Sequence, residues 1–586
     1  MLHTKSSADS KPSKVPLTHS GLQYNCCKNP KCPNYGVDAL STSSLGMYSL
    51  ISGGKQYPLL KCNACGETPP MKSNVGISEE LDRLSAYLHS SSPKTTATCP
   101  DPACQNHSVP VSTKKAYRSF GTSSSGAKRL QCSICKKTFS IAKATVGQHE
   151  THYNIDIFKL LVNKVPLSRI INILEINWSV LYNRIDFIHK QCLAFAADRE
   201  KELSALPIKR LYIAVDKQDY QINWTERKDK RNITLSAIAS ADNKTGYVFG
   251  IHPNFDYSLN RDVIEDDAFN VKDESKASPY RKYARLWLQC DYKKSVEQTK
   301  IKKATTSLTS SIEQKYQDSA QRFDVEACDE KSATEKLPSY GMQVKVEYTM
   351  IAHFYFLKNL LGNVEKFRFF LDQEPGIRAA FLSAFKDNVK NKTAEAFYVS
   401  IEKFLTVDEK RSFKAAANKR LAELKFLHPL CTDEELKLEL LKLEIQKVME
   451  LGNYKDKWVK HPLPSMAESN KAVCWLTEHD EFDLNHKAWL YNKASLHAVD
   501  SFFEKVRRRI SMMERPIHSS ANRNRVWNGY SAYNPAMIVK LLDIFRVVHN
   551  YIDVKKKVGE TEKITPAMCL GLAKAPLDYK TILYFE

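Results

Sequence analysis

Nine of the fifteen cysteines precede residue 136, and they are spaced as a repeat. The segment CKNPKCPNYGV from Cys27 is echoed by CPDPACQNHSV from Cys99, with Cys, Pro, Cys, Asn and Val in register. Each copy is followed by a second pair: Cys62 and Cys65 in LKCNACGET, Cys132 and Cys135 in LQCSICKKT. Both units read Cys-x4-Cys, about thirty residues, then Cys-x2-Cys. That spacing lets two tight turns present four thiolates tetrahedrally to zinc. The expected ligands are Cys27, Cys32, Cys62 and Cys65 for one ion, and Cys99, Cys104, Cys132 and Cys135 for the other. Cys26 adjoins Cys27, but the register of the repeat selects Cys27; His107 lies beside a unit that already has four cysteines. Four-thiolate sites leave no position open for chemistry, so both ions are expected to be structural. A unit this small depends on its metal to fold. The other six cysteines are scattered singly and read as small buried apolar residues.

The second chemistry is carried by acids. Asp216 follows the apolar run RLYIAV, Asp372 closes FRFFLD, and Asp500 lies in LHAVDSFFEKVRRRISMMERP, seven residues before Arg507. On a helix of 3.6 residues per turn, that interval puts carboxylate and guanidinium on one face. The carboxylate then reaches a metal ion while the guanidinium reaches a phosphate of the same strand. Magnesium and manganese prefer hard oxygen ligands, and two such ions about 3.5 to 4 Å apart suit phosphoryl transfer. Asp219 and Asp256 rival Asp216 for the first position; Glu504 and Glu514 rival Asp500 for the third. Arg507, Arg508 and Arg509 are candidates to hold the DNA backbone.

The elements that must position these groups follow from the pattern. RLYIAVDKQDY and the two runs within RNITLSAIASADNKTGYVFGIHP predict three consecutive antiparallel strands with an acid on the first, which is how an RNase H-like core begins. YTMIAHFYFLKNLLG from Tyr348 predicts an amphipathic helix, FRFFLD a strand, and AEAFYVSI from Ala394 a fifth strand. Residues 258–341 are highly charged and read as an insertion, partly helical from Tyr280 to Gln298. Residues 401–490 read as a helical insertion, either a solvated hairpin or an arm that touches DNA or a second subunit.

From Ile155, three helical stretches with a compact turn at Glu175, Ile176 and Asn177 predict a helix-turn-helix. Its second helix begins at Trp178, with Leu181, Ile185 and Ile188 inward and Tyr182, Asn183 and Arg184 outward for the major groove. Trp178 itself and His353 read as packed core residues. Between the cysteine units, ISEELDRLSAYLH from Ile77 reads as a short linker helix.

The fold class that results is multidomain α+β: zinc ribbons at 1–72 and 94–147 joined by 73–93, a helix-turn-helix at 150–200, and an RNase H-like α/β core at 205–400 and 491–555 with helical insertions, ending in a tail at 556–586. Length alone calls for several domains, since 586 residues exceed one core. Eighty-seven Lys and Arg against 66 Asp and Glu give a formal charge of +21, which favours a polyanionic partner. No apolar run approaches the roughly 20 residues of a spanning helix, and the polar opening lacks a signal-peptide stretch. A cytoplasmic, nucleoid-associated protein without membrane contact is expected.

With these residues in view, the chain resembles insertion-sequence transposases of the DDE superfamily, particularly the bacterial group with zinc ribbons and a helix-turn-helix before the catalytic core. The resemblance covers nearly the whole chain. It is most specific at LHAVDSFFEKVRRRISMMERP and at the tail HNYIDVKKKVGETEKITPAMCLGLA from His549. It implies Asp216, Asp372 and Asp500 as a three-aspartate variant of the triad, duplex DNA (element ends and target) as partner, and at least two subunits on that DNA. It also implies hydrolysis at an element end and attack of the freed 3′ hydroxyl on target DNA. The competing classes are an inactive or domesticated DNA-binding derivative and a nuclease of the same core without strand transfer.

Overall fold

The structure is a computed structural model, and it describes the chain except residues 1–13, 41–45, 53–56, 90–96, 112, 114, 124–126, 142–143, 146–147, 224–227, 299–306, 322–328, 375, 403–404, 453–454, 480, 519–525, 555–562 and 586. The middle of the tail motif therefore lies outside the described residues.

The first cysteine unit carries the hairpin β1 (Tyr48–Ser52) and β2 (Pro58–Cys62) and leads into helix α1 (Asn74–Ser85). The second carries a three-stranded sheet of β3 (Tyr117–Thr122), β4 (Lys128–Cys132) and β5 (Thr138–Ser140). Helices α2 (Tyr153–Leu161), α3 (Leu167–Leu174) and α4 (Trp178–Glu200) follow. The turn between α3 and α4 falls where the sequence puts it: Glu175 is left-handed at φ 52°, and Asn177 caps α4 by accepting from Val180 N at 2.9 Å.

The main sheet starts with β6 (Arg210–Ile222), β7 (Ile233–Asp242) and β8 (Val248–Pro253), an antiparallel meander. Helix α5 (Val346–Leu360), strand β9 (Lys366–Asp372), helix α6 (Ile377–Ala384) and strand β10 (Ala394–Ile401) come next. β9 runs parallel to both β6 and β10, in the order β8-β7-β6-β9-β10. Two capped helices, α7 (Val407–Leu427) and α8 (Asp433–Ile445), then stand out. The stretch 401–490 is not only helical, however. Strands β11 (Met449–Leu451), β12 (Asp456–Lys460) and β13 (Lys471–Trp475) extend the sheet beyond β10, bringing it to eight strands. Helices α9 (His497–Arg509) and α10 (Pro535–Tyr551) complete the core.

Alternation along the strands sorts the two faces. Phe369 of β9 packs on Phe354 of α5 and on Phe381 and Phe385 after it, with centroids 4.8 to 5.9 Å apart. Phe370 faces the other way, stacking at 6.5 Å on Tyr212, which itself meets Trp489. Asp216 and Asp372 are on the Phe370 face, which α9 joins through Asn243 and Ala498. Helices α5 and α6 cover the opposite face.

The first cysteine unit is seated on those two helices. Tyr35 donates to the Leu382 carbonyl at 2.9 Å, Lys72 pairs with Glu347 at 2.6 Å with both side chains buried, and Asp38 pairs with Lys386. Gly36, at φ +61°, passes so close that a Cβ would meet the Lys386 side chain at 3.0 Å. The helix expected as linker, α1, is part of the core: fully buried Glu80 binds Arg83 at 2.6 Å, Arg285 at 3.0 Å and Thr349 at 2.8 Å.

Candidate metal centres and active-site cavity

In both repeats the four expected sulfurs meet, all within 4.8 Å of one another. Cys27 and Cys65 Sγ are 3.6 Å apart, Cys32 and Cys62 3.7 Å, Cys99 and Cys135 3.4 Å, and Cys104 and Cys132 3.7 Å. A tetrahedron with zinc–sulfur bonds of about 2.3 Å has edges of about 3.8 Å, so both quartets fit the ion. Burial raises the thiol of Cys32 to about 11 and that of Cys99 to about 12. Cys62 and Cys132 go the other way. Burial raises them too, but the amides of Cys65 and Ala64, and of Cys135 and Ile134, outweigh it and bring them to about 7 and about 6. One thiolate per quartet is thus favoured near neutrality, which is the form a metal binds.

The repeat also explains its other matched residues. Asn34 and Asn106 donate side-chain N–H groups to the sulfurs of Cys62 and Cys132, at 3.5 and 3.3 Å. Val37 and Val109 offer their carbonyls to the hydroxyls of Tyr48 and Tyr117, both at 2.6 Å. Those hydroxyls in turn accept from the amides of Cys27 and Cys99. Sequence reasoning missed this outer layer, although a tyrosine opening the first strand of each unit was its visible mark.

On the sheet, Asp216 is not at a strand end: β6 continues to Ile222. Its pairing with β9 stops at Val215, however, so Asp216 sits where the parallel part of the sheet gives out and β6 goes on with β7 alone. Asp372 ends β9, one residue after Leu371, the partner of Val215. The two acids therefore stand level on adjacent strands and point to the same face. A cavity of about 880 Å³ opens there, lined by Asp216, Asp219, Asp500, Glu504, Arg507 and Glu514 among others. Arg507 donates to Gln218 of β6 at 2.8 Å, which fixes α9 against the strand. Asp372 is buried and does not itself line the cavity.

Among the described residues, the groups of three or more candidate ligands converging within 4.8 Å are the two cysteine quartets, so the three aspartates span more than that.

Of the rivals, Asp256 lies elsewhere, pairing with Arg285 at 3.3 Å, while Asp219, Glu504 and Glu514 line the same cavity as Asp216 and Asp500. Asp219 accepts from Ser236 at 2.6 Å, Glu504 pairs with Arg508 at 2.6 Å in solvent, and Glu514 pairs with Lys164 at 3.1 Å.

Two of the expected DNA contacts are corrected. Arg184 does not face out; it is buried and donates to the His149 carbonyl, in the segment that leads into α2, a helix packed on α4. Arg509 is a brace, binding Asp553 at 3.0 Å and the Val162 carbonyl at 2.7 Å. Tyr182 and Asn183 are exposed as expected. Trp178, expected in the core, is 50% exposed and stacks on Tyr182, whereas His353 is fully buried.

No helix among the described residues is long and apolar enough to cross a membrane. Comparison of the chain with family models, curated proteins and solved structures finds no match.

Proposed function

We propose that the chain is a DNA transposase of the insertion-sequence type, with an RNase H-like core that cuts and joins phosphodiesters. The observation that carries this reading is the placement of Asp216 and Asp372 at one level of adjacent parallel strands, on the face where Asp500 and Arg507 meet Asp216 across a single cavity. The acid-bearing first strand of an antiparallel meander, with the second acid ending the strand beside it, supports the RNase H-like assignment. Asp216, Asp372 and Asp500 would hold magnesium or manganese. Those ions would supply activation of the attacking oxygen and stabilisation of the departing one.

The chain's own residues do the rest. Arg507, on the same face of α9 as Asp500, holds the phosphate in line with the acids, and its bond to Gln218 keeps it oriented. Duplex DNA, both element end and target, is the substrate, and pairing two ends calls for at least two subunits. The positive charge of the chain suits that partner and a place beside the nucleoid.

A DNA-binding derivative without catalysis is the second reading, favoured by the position of Asp372 outside the cavity lining. One assay decides between them. The full chain, given a duplex carrying inverted repeats identified in the DNA beside its gene, should nick and join it in magnesium. Asp216→Asn, Asp372→Asn and Asp500→Asn should each lower the rate more than about 100-fold, the loss that even an outer-sphere partner can bring. Normal strand transfer by Asp500→Asn, or a wild type that never cuts, would overturn the enzyme.

A further inference from the structure

The two cysteine units share a zinc geometry but not a surface. From Cys27 to Met71 the first has four lysines and two acids; from Cys99 to Ile141 the second has seven Lys and Arg and one acid, Asp101. That acid is taken by Lys137 at 2.9 Å. Among the described residues, none between 97 and 141 joins the main hydrophobic core, and the second unit instead closes on its own cysteines and Tyr117.

Its sheet has two unlike faces. Tyr117, Leu130, Cys132 and Phe139 lie towards the metal, with Tyr117 and Phe139 in edge contact at 5.7 Å. By alternation Arg118, Phe120, Arg129 and Gln131 lie on the other side. There the Arg129 guanidinium stands 5.6 Å above the ring of Phe120, which is 49% exposed. Arg118 is exposed on that side, whereas Lys128, two residues before Leu130, alternates to the metal side.

We propose that this outer face of the second ribbon is a docking surface for the phosphate backbone of duplex DNA, and that the first ribbon is not. The proposal rests on the reading above for the identity of the polyanion. Two guanidiniums on an acid-free sheet face match neighbouring phosphates in charge, and an exposed ring capped by one of them offers the sugar edge an apolar contact. In the first ribbon one lysine is spent inward, Lys28, which is buried and donates to the Tyr24 carbonyl at 2.9 Å; both acids pair with the core, and Lys31 and Lys61 remain exposed.

The test compares two variants of the full chain, Arg118→Glu with Arg129→Glu in the second ribbon, and Lys31→Glu with Lys61→Glu in the first. Binding of a fluorescein-labelled random-sequence duplex is followed by anisotropy across a potassium chloride series, with zinc content measured on each preparation. The second-ribbon reversal should weaken binding at least about 10-fold and flatten the slope of log affinity on log salt by about 2, at about 0.9 per phosphate contact. The first-ribbon reversal should change neither.

Equal behaviour of the two variants, an unchanged slope in the second-ribbon reversal, no duplex binding by the wild type, or tighter binding to phosphatidylserine vesicles than to duplex would each overturn the proposal. Should the second-ribbon reversal lose zinc, Arg118→Gln with Arg129→Gln removes charge without reversing it and decides by the same slope. Magnesium-dependent cutting is assayed on the same samples. A wild type that binds through this face but never cuts upholds this surface and defeats the transposase reading.

Discussion

The two cysteine quartets share one spacing and the same kinds of hydrogen bond, yet one unit is part of the core and the other is not. The first shares its residues Leu22, Tyr24 and Tyr35 with the main hydrophobic core and is tied to α5 and α6 by a buried ion pair and a tyrosine hydroxyl. The second is stabilised by its own quartet, with hydrogen bonds such as those of Tyr117 to Asn106 and Val109 running within it. Metal ligation constrains only the inside of such a small unit and leaves the residues between the knuckles to other roles. In the first unit they form a seat for the back of the sheet, opposite the acids. In the second they lie at the surface and are basic.

The sharpest way to break this comparison is to remove one ligand from each copy. Cys32→Ser should lower the melting temperature of the whole core or leave the chain insoluble, because the unit it unfolds is packed beneath α5 and α6. Cys104→Ser should release one zinc and melt only its own ribbon. Calorimetry with zinc analysis reads both, and a core transition that responds alike to the two substitutions would show that docking makes no difference.

A smaller effect is expected at the seat itself. Glu347→Ala leaves the buried Lys72 ammonium without its carboxylate, a loss of about 3 to 5 kcal/mol for a buried pair. Asp101→Ala breaks a pair whose lysine is 58% exposed and should leave the second ribbon's unfolding nearly unchanged. Denaturant titration measures each, and similar losses at the two sites would contradict the distinction between a packed and a solvated ribbon.

What could be read from sequence divides along the same line. The quartets were legible because a metal imposes spacing on the chain, and the β6 to β10 strands because apolar runs of that length have few alternatives. The seat of the first ribbon was not, since Tyr35 and Leu382 meet across 347 positions and nothing local marks either. β11 to β13 were missed for a related reason: they are three to five residues long, follow two charged helices, and exist only because β10 offers an edge. Arg184 was assigned outward from helical periodicity, which fails for a 23-residue helix packed on more than one side. At the candidate site, the order of the acids was legible, and the level of Asp216 with Asp372 was not, because register is set by pairing between strands.

The gentlest test acts through α5, which carries both Glu347 of the ribbon seat and His353. Burial holds the His353 imidazole down at about 3, in contact with His252 at 2.8 Å. The unfolded chain protonates this group below about 6.5, whereas the folded chain does not until far lower. Its contribution is therefore complete above about pH 6.5 and is lost as the pH falls from there towards 3, amounting to about 2 kcal/mol by pH 5. His353→Gln should reduce the drop in core stability between pH 7 and pH 5 by about that much, followed by tryptophan fluorescence in denaturant. The first ribbon, seated on the same helix, should follow the core in this response. The second should keep its own acid release of zinc, governed by its thiols, in wild type and variant alike. If the substitution altered that release as well, the second ribbon would be coupled to the sheet, and the independence argued for it would fail.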